Sequence, residues 1–161
     1  MTQAKQNIFA RMRLAPSALR TVAARRFDDA LALQRTGNNQ RANGAMYLAG
    51  FVVECLLKAE LLVSYPWLRS AASPANRSEE DRVLWSLCYR SHDLEEIVQR
   101  LPNVVEKLER KDQLYGPKPR IMLQQICAEW TIFARYSSRT ATMGEASDFL
   151  EKVKEVKRCL S

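Results

Sequence analysis

A chain of 161 residues, 47% hydrophobic and 27% charged, is long enough for one well-buried core and short for two domains of the usual ~100–150 residues. The net charge of +7 is concentrated in residues 1–27, where Lys5, Arg11, Arg13, Arg20, Arg25 and Arg26 occur without an acid. Scattered cysteines with no CxxC pair and a single histidine argue against a zinc site and for buried thiols in a reducing, cytoplasmic setting.

The first segment, MTQAKQNIFARMRL, has no apolar run of a secretory signal; residues 1–15 are expected to form a mobile basic arm, with a faint likeness to an organellar presequence. Such an end attracts phosphates, nucleic acid or an acidic partner, or simply solubilises the surface. Residues 16–161 make one helical domain. Pro16 suits the first turn of a helix running to about Arg35, with Leu19, Val22, Ala23, Phe27, Ala30 and Leu31 at helical spacing. TGNN breaks it. A second helix, from near Gln40 to just before Pro66, is apolar around nearly its whole circumference, as the central helix of a bundle should be. Glu54, Lys58 and Glu60 interrupt it too early for the ~20 apolar residues of a membrane span.

AASPAN is then a loop, and Ser78 followed by Glu79, Glu80 and Asp81 opens a short helix through Cys88. Asp93 and Glu96 have capping-box spacing before LEEIVQRL, and Pro102 allows further turns through Lys111. After the loop QLYGPKPR, the residues Ile121, Met122, Ile126, Trp130 and Phe133 predict a helix ending near Tyr136; SSRTATMG breaks it, and Glu145–Leu160 is the last helix. Few glycines and prolines and no two-residue alternation make the chain all-α.

On the second helix Asn43, Tyr47, Gly50, Glu54 and Lys58 follow at steps of three or four and form one narrow stripe. Two outcomes are open. Glu54 and Lys58 are an ordinary intrahelical pair at a solvated rim, worth ~0.2–0.5 kcal/mol, or the stripe is a polar site facing Arg135 across the bundle. Gly50 would let another backbone come close, as at a two-fold dimer interface.

YLAGFVVECLLKAELL, followed by SHDLEEIVQRL and WTIFARYS, resembles the HEPN family over roughly residues 17–160. The resemblance implies an up-down bundle of four to five main helices, commonly a homodimer, that binds or cuts RNA or accompanies a nucleotidyltransferase-type partner. Catalytic members use an arginine, four to six arbitrary residues and a histidine, with no metal. Arg135 fits the arginine, but the histidine would fall at Thr140, Ala141 or Thr142.

Metal-free cleavage needs the 2′-hydroxyl deprotonated and the leaving oxygen protonated, work threonine does not do. The expected function is therefore a degenerate, non-catalytic HEPN-like protein that binds RNA, a nucleotide or a protein partner, in the setting of toxin–antitoxin or defence systems. Arg135, Arg139, Tyr136, Glu54, Lys58 and Tyr47 are the candidate binding residues. The alternatives are a metal-independent endoribonuclease built from Arg135, Arg139, Glu54 and His92, and an antitoxin-like interaction subunit. His92 is either a packing residue at a helix entrance or the catalytic imidazole; Arg135 and Arg139 clamp a phosphate, pair with Glu54 or compensate a helix end. Tyr115 and Tyr136, each among cations, suit base stacking or a capped helix end. No cofactor, metal or membrane association is implied.

Overall fold

A computed structural model describes residues 14–70, 74–113 and 116–161, without the side chains of Phe133 and Arg135. The cations Lys5, Arg11 and Arg13, Tyr115 and the Arg135 side chain thus lie outside the described residues. Every regular element among those described is helical: α1 (Pro16–Gln34), α2 (Ala42–Ser64), α3 (Glu79–Tyr89), α4 (Leu94–Gln99), α5 (Pro102–Glu109), α6 (Pro119–Glu129) and α7 (Met143–Leu160). Five of these have eleven residues or more, and α4 and α5 are short connectors of six and eight.

Local chemistry accounts for most boundaries. Pro16 stands at the start of α1, and past its end Gly37 takes φ +64°, a left-handed conformation that costs glycine little. Ser78 accepts from the Asp81 amide and Asp93 from the Glu96 amide, capping α3 and α4. At α7 the Thr142 hydroxyl accepts from the Glu145 amide while the Glu145 carboxylate accepts from the Thr142 amide, a full capping box that lengthens the helix to Met143.

The core is organised around α2, fifteen of whose 23 residues are buried. Its broadest contacts are with α1 and then α7, with α3 and α4 against its remaining sides. Leu56, Leu57, Leu61 and Leu62 are fully buried, each stabilising the fold by roughly 1.5–3 kcal/mol as an upper estimate. Glu60, also buried, is answered from α1 by Arg20 at 2.7 Å.

One element departs from expectation. The helix predicted to end near Tyr136 stops at Glu129; Trp130 and Thr131 are extended, and a short 3-10 turn covers Ile132–Tyr136. No glycine or proline causes this. The Trp130 indole lies on Gly50 and donates from Nε1 to the Tyr47 carbonyl at 3.2 Å, a tertiary contact made where the helix stops.

Candidate functional site

The charged stripe of α2 is not at a rim. Only 2% of Glu54 and 7% of Lys58 is accessible, so of the two outcomes left open by the sequence the solvated rim pair is excluded. A charge so placed must be paired and hydrogen-bonded, and each of these is. Lys58 Nζ donates to Glu54 Oε1 at 2.8 Å and to the Ser91 carbonyl at 2.8 Å, while His92 Nδ1 lies 3.0 Å from each Glu54 carboxylate oxygen. One helix supplies the ion pair, and the turn between α3 and α4 supplies its other two partners.

That turn is fixed locally. The Ser91 amide donates to the Ser86 carbonyl at 2.8 Å, the Asp93 amide to Ser91 Oγ at 3.1 Å, and Asp93 caps α4. His92 is held at its middle, beside the α4 N-cap, with 40% of its side chain exposed and its ring on the Glu54 carboxylate. An ionised carboxylate only accepts hydrogen bonds, so in neutral His92 the proton sits on Nδ1 and Nε2 is left as an acceptor.

Glu54, Lys58 and His92 line a cavity of about 510 Å³ whose other walls include Phe51, Trp85 and Tyr89. The two rings of α3 stack with centroids 5.3 Å apart, and the Arg90 guanidinium lies 4.9 Å from the Trp85 ring centre. Cys55 and Cys88 also line it. Burial, more than any neighbouring charge, pushes their thiols up to about 12 and about 11, so they are neutral groups of the wall rather than nucleophiles or metal ligands. A second cavity of about 380 Å³, bounded by Glu95, Trp130 and Ile132, shares His92 as a wall. Cys127 borders it, its thiol pushed up to about 12 by burial first and then by Glu95 and Asp93.

Of the described residues singled out in the sequence, Glu54, Lys58 and His92 come together, while Gly50, Tyr47, Asn43 and Arg139 make their contacts elsewhere. Gly50 admits the Trp130 indole of the same chain, not a second backbone: an added Cβ would fall 2.1 Å from Trp130 Cδ1. Tyr47 supplies a carbonyl to that indole and packs its ring 6.2 Å away. Asn43 holds the chain on both sides of Thr140, donating to the Arg139 carbonyl and accepting from the Ala141 amide, each at 2.7 Å. Arg139, 76% exposed at its side chain, pairs with Glu145 rather than Glu54, and Tyr136 is 71% exposed on the Ile132–Tyr136 turn. The pairing of Arg135 with Glu54 lies outside what is described.

The aromatic and cationic wall of Phe51, Trp85, Tyr89 and Arg90 went unnoticed in the sequence, although Trp85 and Tyr89 stand one helical turn apart and so share a face. Among the described residues no group of three or more His, Cys, Asp or Glu is placed to hold a metal ion, and no helix is long and apolar enough to cross a membrane. Compared with family models, curated proteins and solved structures, the chain finds no match, so the HEPN likeness rests on the residues quoted for it.

Proposed function

We propose that this chain is a HEPN-like bundle that binds single-stranded RNA or a nucleotide at the Glu54–Lys58–His92 cluster, without the arginine–histidine cleavage chemistry of the family's nucleases. The observation that carries it is a buried ion pair opening, through a half-exposed imidazole, into an aromatic-walled cavity. A buried pair is weak evidence for stability, since apolar residues of the same volume serve as well or better. Here the pair positions a polar group at a cavity mouth. Unpaired bases stack on aromatic faces, and cations meet the phosphates. Arg90 lines the cavity, and so does Leu14, which directly follows the basic stretch containing Lys5, Arg11 and Arg13.

The test is the salt dependence of affinity for a labelled single-stranded RNA. Phosphate contacts release counterions, so log affinity should fall linearly with log salt by ~0.7 per contact, and Arg90→Ala should flatten that slope. No affinity for RNA or mononucleotides at low salt overturns the proposal. Homodimerisation, a nucleotidyltransferase-type partner and a toxin–antitoxin or defence setting are what the family resemblance adds; Gly50, filled from within the chain, lends the dimer no support.

The Glu54–His92 contact favours a second function, a metal-independent endoribonuclease. A carboxylate holding Nδ1 leaves Nε2 to take the proton from a 2′-hydroxyl. RNA turnover in the presence of chelator, lost in His92→Gln, would establish it over simple binding.

A further inference from the structure

A further cavity, of about 550 Å³, opens between α4, α5 and α6, away from the charged cluster of α2. Leu108 and Leu123 in its walls are buried, and Val98 and Val105 are half-buried. Apolar walls with a few polar groups, in a space of ~300–1,000 Å³ between helices of a bundle, are the make-up of a small-molecule site. The polar groups here are unequally engaged. Arg120 is already paired with Glu109 at 3.2 Å. Glu106 meets Arg110 only at 3.9 Å, with both side chains largely exposed, and such a pair holds weakly. Glu95 has no ion-pair partner among the described residues. The cavity is therefore locally acidic in a chain whose net charge is +7. Cys127, which also lines it, registers that field: after burial, Glu95 and Asp93 are what raise its thiol, and no cation offsets them.

We infer that this cavity is a binding site for a small apolar amine, its hydrocarbon part against Val105, Leu108 and Leu123 and its ammonium held by Glu95 and Glu106. Burial of the hydrocarbon drives binding, and the carboxylates choose the sign of the head group. An ammonium donates hydrogen bonds to both, whereas an anionic ligand would meet two charges of its own sign and an arginine that Glu109 already engages. No residue lining this cavity lines the larger of the two beside His92, so the site stands independently of the RNA-binding function proposed above.

Calorimetric titration of the full chain at neutral pH and low salt with butylamine, hexylamine, octylamine, 1-octanol and octanoate tests this. Affinity should rise about fourfold for each methylene added to the amine. Octylamine should bind about fivefold tighter than 1-octanol, and octanoate more weakly than the alcohol. Glu95→Gln combined with Glu106→Gln should lower octylamine to the affinity of 1-octanol and leave the alcohol unchanged. Val105→Trp, its folding checked by circular dichroism, fills the cavity and should abolish octylamine binding; if that variant does not fold, the paired glutamine variant still decides. Equal binding of octylamine and 1-octanol, tighter binding of octanoate, an affinity indifferent to chain length, or undiminished octylamine binding by folded Val105→Trp would each overturn the inference, as would no binding of octylamine in the millimolar range.

Discussion

Removing the Glu54 carboxylate leaves the Lys58 ammonium buried with one carbonyl as its remaining partner. Loss of one member of such a pair costs ~3–5 kcal/mol, against less than ~1 kcal/mol for an exposed pair such as Glu151–Lys154. Urea unfolding should therefore show Glu54→Ala far less stable than Glu151→Ala, and Glu54→Leu combined with Lys58→Met should recover most of the loss. Equal effects of the two alanine variants would mean that water reaches the pair. The thiols make a second residue-level expectation. Because Cys55 rises to about 12 and Cys88 to about 11 from an ordinary 9.0, their contribution to stability is complete below pH 9.0 and is lost as pH climbs toward those values. At about pH 8, alkylation of both should be slow in the native protein and fast in denaturant. The charged stripe was legible at this scale, since its steps of three and four can be read directly. That it is buried, and that a histidine 38 residues away completes it, was not: those facts depend on how the α3–α4 turn packs on α2.

Helix starts are written locally, which is why Pro16, Ser78 and Asp93 were found from the sequence, and Thr142 with Glu145 carried the same kind of signal. Thr142→Ala should cost ~1 kcal/mol and fray the start of α7, visible as faster amide exchange over its first turn. Hydrogen bonds from the Thr142 amide and hydroxyl, more than the Arg139 charge, hold the Glu145 carboxyl below its usual range. Its support for the cap is thus present above ordinary carboxylate pKa values and lost as pH falls through its own. The end of α6 has no such signal. It is set by Trp130 seating on Gly50, a tertiary contact that overrides an unbroken helical pattern. Gly50→Ala should destabilise by ~1–3 kcal/mol through overpacking and shift the tryptophan emission, and pairing it with Trp130→Leu should relieve part of the cost. An unaltered emission with full stability would show that the two elements separate easily.

At the scale of the molecule, one contiguous apolar cluster runs through all seven helices, with the cavities at its edge near the α3–α4 turn. A single core predicts a single transition. Circular dichroism and tryptophan fluorescence should report the same thermal midpoint, whereas a split would mean that α3 to α5 unfold apart from α1, α2 and α7. The all-α class and the centrality of α2 followed from periodicity and length. The cavities did not, because each is walled by residues from separate stretches of chain that sequence spacing does not relate.

The grip of Asn43 on the peptide groups flanking Thr140 has a consequence for proteolysis. Trypsin recognises the exposed Arg139 side chain, yet cleavage requires the backbone around it to detach and enter the protease in extended form, and Asn43 holds both the carbonyl to be attacked and the amide beyond Thr140. Arg139 should resist digestion in the native chain, and Asn43→Ala should make the bond after it an early nick, splitting the molecule into two pieces that the core keeps associated until they are denatured.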